Sequence, residues 1–230
     1  MTMDPLETDL HSHLVPGVDH GSRSPVETVT LARGLVARGF RRLHVTPHQY
    51  RFGNDFTVAE LGEMADGVRL LLSRAGVDVE VVAGAEHYLG DRFLRALERN
   101  EELASFLFRG ERCVLIELPL HQPVVGVRRV AVELVRRGLR PVMAHPERIE
   151  SALADEHRRQ RWLDAGWVFQ LDLLSLAGHY GAGPLARAHE IVRGGAVFGL
   201  GSDLHRPSEL EVLSTALAHY RDLTLEMVNS

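Results

Sequence analysis

The chain has 230 residues, with 26 basic and 31 acidic side chains and a formal net charge of −5 when the histidines are neutral. This length suits one large α/β domain with a sizeable core. The negative charge argues against sequence-independent nucleic-acid binding, which needs clustered positive charge. All 26 basic residues are arginine, and the absence of lysine excludes Schiff-base chemistry and a phosphate-binding loop ending in Lys-Ser/Thr.

The single cysteine, Cys113, begins an apolar run that continues through Ile116. A thiol in such a run is usually inert, and position 119, where a cysteine phosphatase would carry its arginine, is proline. One cysteine permits no disulfide within the chain, which fits a reducing compartment. Residues 1–10 lack the pattern of a signal peptide, and no segment approaches the ~20 apolar residues that span a bilayer. We therefore expect a cytoplasmic protein without membrane insertion.

Short apolar runs alternate with longer amphipathic segments along the chain. In chain order, the patterns predict a strand ending at residues 9–10, a helix over 24–39, a strand over 41–46, a helix over 57–75, a strand over 77–83, a helix over 91–99, a strand over 112–118, a helix over 124–137, a strand over 140–144, a helix over 155–165, a strand over 167–171, a helix over 184–193, a strand over 196–200 and a helix from about 207. Several strands are apolar on both faces, as in parallel sheets covered by helices. With no linker in between, the pattern predicts a single α/β domain over residues 1–230, either a barrel or an open doubly wound sheet.

A histidine or carboxylate follows every predicted strand. In chain order these residues are His11 and His13, His48, Glu86, Glu117, His145, Asp172, and Asp203 with His205. Active sites of barrels and open α/β sheets form at the carboxyl ends of the strands, so we expect these side chains to meet. Imidazoles and carboxylates suit Mn²⁺, Fe²⁺ or Zn²⁺, and the pattern therefore predicts a site for two or three divalent ions.

Two arginines, Arg148 and Arg206, follow predicted ligands directly or closely. A guanidinium binds phosphate oxygens in a planar fork, so we expect both to bind a substrate phosphoryl group. Taken singly, the ligand candidates have ordinary explanations, because 13 histidines produce His-x-His spacings by accident and Glu86 or Asp203 could cap a helix. Their conjunction in chain order favours the metal site.

The ligand order resembles that of the polymerase-and-histidinol-phosphatase (PHP) superfamily. More narrowly, several segments are similar to the CpsB/YwqE-type bacterial tyrosine-protein phosphatases: Asp9-Leu10-His11-Ser12-His13 through Pro16-Gly17-Val18-Asp19-His20-Gly21, Thr46-Pro47-His48, Gly84-Ala85-Glu86, Ala144-His145-Pro146-Glu147-Arg148, Ser175-Leu176-Ala177-Gly178 and Ser202-Asp203-Leu204-His205. The resemblance covers nearly the whole chain in the right order. It implies a distorted TIM-like (β/α)7 barrel holding three divalent ions, most often Mn²⁺, with Fe²⁺ or Zn²⁺ as alternatives.

The resemblance also implies a ligand set and a substrate. One ion would be held by His11, His13, Glu86 and Asp203, a second by Glu86, Glu117 and His145, and a third by His48, His205 and the residue at position 20. The substrate would be phosphotyrosine on a protein, such as a bacterial tyrosine kinase of exopolysaccharide or capsular polysaccharide synthesis. The chain departs from its relatives at two positions, with His20 in place of an aspartate and Asp172 in place of an asparagine.

We therefore expect hydrolysis of phosphotyrosine by a metal-activated hydroxide, without a covalent intermediate. In this scheme Arg148 and Arg206 stabilise the transition state, and His205 is a candidate proton donor. Three alternatives stay open: a histidinol phosphatase or other small-molecule phosphomonoesterase, a nuclease, which the acidic charge disfavours, and a non-catalytic metal-binding regulatory module. The sequence predicts no oligomeric state.

Overall fold

The computed structural model of the chain describes residues 5–121, 126–150 and 156–228. Its strands are β1 (Thr8–Ser12), β2 (Arg42–Val45), β3 (His48–Gln49), β4 (Glu80–Ala83), β5 (Glu86–Tyr88), β6 (Phe106–Phe108), β7 (Glu111–Glu117), β8 (Arg140–Ala144), β9 (Val168–Asp172) and β10 (Val197–Gly201). Its α-helices are α1 (Pro25–Ala37), α2 (Val58–Arg74), α3 (Asp91–Glu98), α4 (Val127–Arg136), α5 (Glu156–Asp164), α6 (Ala182–Arg193) and α7 (Glu209–Val228). The helix starts predicted at residues 124 and 155 lie outside the described residues.

The strands form two sheets that are parallel apart from one hairpin. The smaller sheet has the order β1-β2-β4, and the larger has the order β10-β9-β8-β7-β5-β3, with β6 antiparallel to β7. Helices alternate with these strands along the chain, which confirms the predicted α/β class. Next to β10, the backbone N–H of Asp203 donates to the carbonyl of His11 at 2.9 Å, so the outer strands of the two sheets come together here. The closed seven-stranded barrel stays a prediction.

The second and third predicted strands, 41–46 and 77–83, are each followed by a further short strand that the sequence did not predict. Residues 46–47 separate β2 from β3, and residues 84–85 separate β4 from β5. Pro47 has no backbone N–H to donate to a ladder, which explains one interruption. Backbone hydrogen bonds continue across the break, from Gly84 N to Val45 O at 3.0 Å and from Glu86 N to Pro47 O at 3.1 Å. As a result, His48 and Glu86 begin new strand segments.

Two helix starts follow directly from capping chemistry. Ser24 Oγ accepts from Glu27 N at 3.3 Å at the start of α1, where Pro25 is the first residue. Before α2, Thr57 Oγ1 accepts from Glu60 N at 3.2 Å, and the Glu60 carboxylate accepts from Thr57 N at 2.7 Å. These contacts satisfy N–H groups that have no partner within the helix, and they agree with the predicted starts.

The central strands are buried on both faces. On β7, Val114 and Ile116 pack in the large core that includes the helices, while Cys113 and Leu115 belong to a smaller inner cluster with Leu10 of β1. Burial raises the pKa of the Cys113 thiol to about 12, so the thiol stays protonated and unreactive, as expected from its apolar neighbours. In the part of the chain that the structure describes, no helix combines the length and apolarity that crossing a bilayer requires.

Gly199 of β10 packs closely against side chains of the inner cluster. A Cβ atom at this position would overlap Leu10 Cδ1 and approach Phe108 Cε1 to 3.3 Å. Because the position is buried and its neighbours are core side chains, an added methyl group has little room to be accommodated.

We predict that Gly199→Ala destabilises the protein by about 1–3 kcal/mol, the usual cost of overpacking a core. Gly62→Ala is the matched control, since nothing lies within 4 Å of a Cβ there and alanine favours the interior of α2 by about 0.5–1 kcal/mol. Denaturant unfolding measures both. Equal stability of the two variants would contradict the packing described here.

Candidate metal centre

The predicted ligands gather beyond the carboxyl ends of the strands. His11 lies in β1, and His13 follows it. His48 and Glu86 begin β3 and β5, Glu117 ends β7, and His145 and Asp203 follow β8 and β10. All seven side chains are buried. The structure therefore brings together residues that are as far apart in the sequence as 11 and 203.

Glu86 lies at the centre of this cluster. Its Oε2 atom is 2.8 Å from His48 Nδ1, 3.4 Å from His11 Nε2 and 3.5 Å from His13 Nε2, and its Oε1 atom is 2.9 Å from His145 Nε2. One carboxylate thus contacts four imidazoles from three different segments. A carboxylate with two oxygens surrounded by ring nitrogens is suited to bridging two ions.

Asp203 completes the side of the cluster near β1. Its Oδ1 atom is 3.1 Å from His13 Nε2 and 3.4 Å from His11 Nε2, and its Oδ2 atom accepts from Arg148 Nη1 at 2.6 Å. Asp203 and His145 have φ angles of 46° and 32°. Residues other than glycine seldom adopt positive φ, and such strain is concentrated at functional sites.

Four overlapping sets of three side chains place their ligand atoms within 4.8 Å of one another. These sets are His13, His48 and His205; His11, His145 and Asp203; His11, His13 and Glu86; and His48, Glu86 and Glu117. Because the sets share members, they form one connected cluster of candidate metal ligands. Among the described residues, Nε2 of His48 and Nε2 of His205 are buried without a hydrogen-bond partner.

The chemistry of His205 fits a ligand. Its Nδ1–H donates to the carbonyl oxygen of Asp203 at 2.7 Å, which leaves the lone pair of Nε2 available to an ion. Burial and the neighbouring His13 lower the pKa of His205 to about 3, and burial lowers the pKa of His145 to about 4. Both rings are therefore neutral, the form that binds metals.

The carboxylates make the centre favourable for positive charge. Burial alone raises the pKa of Glu86, but His11 and His48 hold it well below its usual range. Burial alone lowers the pKa of His11, yet Glu86 and Asp203 raise it to about 9. Burial and the charge of Glu86 raise the pKa of Glu117. Divalent ions would supply the positive charge that protons provide in their absence.

The buried ligands are oriented by polar residues that the sequence analysis did not select. Asp19 Oδ2 accepts from His13 Nδ1 at 2.8 Å and from the His48 backbone N–H at 3.0 Å. Gln170 Oε1 lies 2.9 Å from His11 Nδ1. Ligating histidines generally donate their second ring N–H to a carboxylate or carbonyl, and that rule could have identified Asp19 inside the quoted motif.

His20 lies at the rim of the centre. Its ring centroid is 4.7 Å from that of His48 and 4.4 Å from that of His205. The side chain is exposed, unlike the seven strand-end ligands, although it stands beside the two histidines predicted to share its ion.

The two predicted phosphate-binding arginines differ in placement. Arg148 lines a cavity of about 120 Å³ above the cluster, with His48, Glu86, Asp203 and other ligands. Arg206 is not part of this lining within the described residues; its Nη1 donates to the backbone carbonyls of Gly21 and His205. Arg206 therefore links the loop before α1 to the loop after β10 through these hydrogen bonds.

Asp172 and Tyr180 surround Arg148. The Arg148 guanidinium lies 3.5 Å from Asp172 Oδ2 and 4.2 Å from the centroid of the Tyr180 ring. Asp172 also caps the next turn by accepting from Leu174 N at 2.8 Å. Burial, together with the charge of Asp203, raises the pKa of Asp172 well above its usual range.

Arg51 and Phe52 also line the cavity, and neither was selected from the sequence. Arg51 Nη1 donates to Glu117 Oε1 at 2.6 Å. Both residues belong to the loop after β3, where no periodic pattern indicates the direction of a side chain, so only the three-dimensional structure reveals them.

The parallel α/β fold carries at its strand ends a buried cluster of imidazoles and carboxylates, a donor set that could hold metal ions. The family model described as "Capsular polysaccharide synthesis, CpsB/CapC" matches residues 7–212. The chain belongs to this family, and the resemblance noted from its motifs is confirmed.

Three curated relatives support this assignment. Tyrosine-protein phosphatase YwqE of Bacillus subtilis is 25% identical over 86% of this chain and 76% of its own length. Tyrosine-protein phosphatase CpsB of Streptococcus pneumoniae is 27% identical over 71% of this chain and 66% of its own length. Putative tyrosine-protein phosphatase CapC of Staphylococcus aureus is 24% identical over 96% of this chain and 88% of its own length.

Two solved structures share the fold. A chain from the crystal structures of YwqE from Bacillus subtilis and CpsB from Streptococcus pneumoniae, described as unique metal-dependent tyrosine phosphatases, matches with a TM-score of 0.77 and 23% identity over 97% of this chain and 95% of that chain. An organophosphorus hydrolase from Deinococcus radiodurans matches with a TM-score of 0.50 and 16% identity over 97% of this chain and 86% of that chain. At these identities the likeness concerns the fold.

We predict that Mn²⁺ raises the melting temperature of chelator-treated protein. At a free concentration of 100 Kd, each ion contributes about 2.7 kcal/mol, or roughly 5–10 °C for a chain of this size. Glu86→Gln removes the shared anion and should lose most of this shift. His121→Gln, at a histidine whose side chain is 76% exposed, should retain it. A full Mn²⁺ shift in Glu86→Gln would contradict the central position of Glu86 in the site.

Proposed function

We propose that this protein is a metal-dependent protein-tyrosine phosphatase, with phosphotyrosine on a bacterial tyrosine kinase of exopolysaccharide or capsular polysaccharide synthesis as its substrate. The observation that carries the proposal is the cavity in which the Arg148 guanidinium and the buried cluster around Glu86 face the same space. The names of the curated relatives supply the substrate class. The proposed enzyme is one domain over residues 1–230, and the single cysteine suits the cytoplasm.

We assign the ions to the strand-end residues. His11, His13, Glu86 and Asp203 would hold the first, Glu86, Glu117 and His145 the second, and His48, His205 and His20 the third. Bound divalent ions lower the pKa of a coordinated water and neutralise charge on a phosphoryl group. The donor set of nitrogens and oxygens without thiolate suits Mn²⁺, and also Fe²⁺ or Zn²⁺.

The chain's own groups bind and orient the substrate. Arg148 is fixed by Asp203 and packed against the Tyr180 ring, so its guanidinium is preorganised to bind phosphoryl oxygens as charge develops. Arg206 keeps a positioning role, since its contacts are to backbone carbonyls. We assign His205 to metal binding instead of proton donation, because its Nδ1–H is held by the Asp203 carbonyl. Phenolate is a good leaving group and gains little from an acid.

The same proposal includes the barrel. We infer that β2 with β3 and β4 with β5 act as two interrupted strands, so that the two sheets are parts of one distorted (β/α)7 barrel. The backbone hydrogen bonds at the two breaks and the contact between Asp203 N and His11 O support this inference. A barrel gives the strand ends one common face, the usual place of catalytic sites in that architecture.

We predict that the protein releases phosphate from a phosphotyrosine peptide and prefers it to histidinol phosphate, and that chelation stops turnover until Mn²⁺ is restored.

His11→Ala should remove turnover with the fold retained. Arg148→Ala should lower kcat/KM by about 10²–10³-fold through loss of transition-state stabilisation. Arg23→Ala is the matched control, since this side chain is 65% exposed. Preference for histidinol phosphate would redirect the function to a small-molecule phosphatase, and full activity in His11→Ala would contradict the metal assignment.

A second prediction concerns the absence of a cysteine nucleophile. Cys113 lies in the inner apolar cluster and does not line the cavity within the described residues. Cys113→Ala should therefore retain phosphatase activity within about twofold, a small change compared with the 10²–10⁴-fold effects of lost catalytic groups. Assay of the peptide substrate at saturating Mn²⁺ measures this, and loss of turnover in a folded Cys113→Ala protein would indicate a covalent route.

A further inference from the structure

An exposed aromatic side chain stands at the mouth of the metal cavity. Phe52 is 63% exposed, yet it belongs to the cavity lining together with His20 and His48. The centroid of its ring is 5.2 Å from the ring centroids of both histidines, which it meets edge to face. Exposure of a large apolar side chain to water is unfavourable, so burial in the core does not explain why Phe52 lies beside the site.

The loop that carries Phe52 is tightly held. Tyr50 N donates to Asn54 O at 2.9 Å, and Asn54 Nδ2 donates to His48 O at 3.1 Å. At the base of the loop, the Gln49 side chain exchanges two hydrogen bonds with the backbone of Phe56, at 2.6 Å and 2.9 Å. These bonds fix the loop to β3 and therefore to the metal ligand His48.

The backbone of this loop is strained where the ring is presented. Tyr50 and Phe52 have φ angles of 65° and 55°. A bulky residue seldom adopts the left-handed region, so the backbone is strained at both positions. The surrounding hydrogen bonds maintain this conformation. It places the largely exposed Phe52 ring in the lining of the cavity.

Arg51 supports the ring from beside it. Its guanidinium carbon lies 4.8 Å from the centroid of Phe52 and 4.8 Å from that of Tyr88, while its Nη1 atom donates to Glu117. Cations stack favourably on aromatic faces. Arg51 thus connects the Phe52 ring to Glu117, while most of the Phe52 side chain stays exposed at the cavity lining.

We propose that Phe52 packs against the aromatic ring of the phosphorylated side chain and so determines selectivity for aryl over alkyl phosphates. The inference rests on the proposed phosphatase function. In an aryl phosphate the ring is joined to phosphorus through a single oxygen, so a phosphoryl group bound beside Arg148 and His48 brings that ring to the cavity mouth. Aromatic pairs in offset or edge-to-face contact are stabilised beyond simple burial, whereas an alkyl group offers no such contact. Arg51 is the positioning residue in this arrangement.

The test compares two non-hydrolysable ligands, phenylphosphonate and methylphosphonate, by calorimetry on the Mn²⁺-loaded protein. Their ratio of dissociation constants isolates the ring, because both carry the same phosphonate. Wild type should bind phenylphosphonate about three- to tenfold more tightly. Phe52→Ala should bring the ratio close to one, and Phe52→Tyr should keep it. Leu107→Ala, at a side chain that is 64% exposed and distant from the cavity lining, is the matched control. Bound Mn²⁺ is measured in every variant.

Each outcome decides the proposal. An unchanged ratio in Phe52→Ala, or no preference for the aryl ligand in wild type, overturns it. In parallel, Phe52→Ala should raise KM for a phosphotyrosine peptide by a similar factor, with less change in kcat. If wild type fails to hydrolyse the peptide, the proposed function fails, but the phosphonate ratio still shows whether Phe52 recognises an aromatic group.

Discussion

The contacts of Glu86 are the constraint on which the rest of the structure depends. A carboxylate removed from water is costly unless nearby groups compensate for its charge, and here the compensation comes from four imidazoles of three separate segments within 3.5 Å. The parallel register of β3 and β5 sets His48 directly beside Glu86. Val45 of β2 pairs with Ala83 of β4 at the same offset, so the register is kept across both breaks. The two interruptions therefore leave His48 and Glu86 paired as neighbours.

A second requirement is that the rings keep one orientation. Asp19 and Gln170 contact Nδ1 of His13 and His11, which leaves each Nε2 directed to the centre. Asp9 links the strands behind them, because its carboxylate accepts from the backbone N–H of His11 at 3.1 Å and from Ser202 N at 2.8 Å. These buried polar groups tie β1 to the end of β10, so the candidate ligands and the backbone contact between the two sheets are held by the same set of hydrogen bonds.

Much of this arrangement follows from local patterns in the sequence. The alternation of strands and helices, the Ser24 and Thr57 caps and the polar residue after each strand could be predicted, because they depend on periodicity and on residues near in sequence. The short strands β3 and β5 could not be predicted. Pro47 and Gly84 indicate that a strand could be interrupted, but they do not indicate that the chain continues in the other sheet. The direction of the Arg206 side chain could not be predicted either, because it depends on hydrogen bonds to the backbone carbonyls of Gly21 and His205. The role of Asp19 could have been predicted, because ligating histidines generally donate their second ring N–H to a carboxylate or carbonyl.

In the proposed enzyme, the loop after β3 carries the recognition residue and the strand ends carry the candidate metal ligands. The candidate ligands are carried by strand ends whose positions are set by the ladders of both sheets. Phe52 and Arg51, by contrast, stand on a short loop that hydrogen-bonds mainly to itself and to His48. Rigid scaffolds commonly carry variable specificity on such loops. This loop is not independent of the cluster, because Phe52 contacts the ring of His48 and Arg51 donates to Glu117. In the proposed enzyme, a change in this loop therefore acts on recognition next to the candidate ligands.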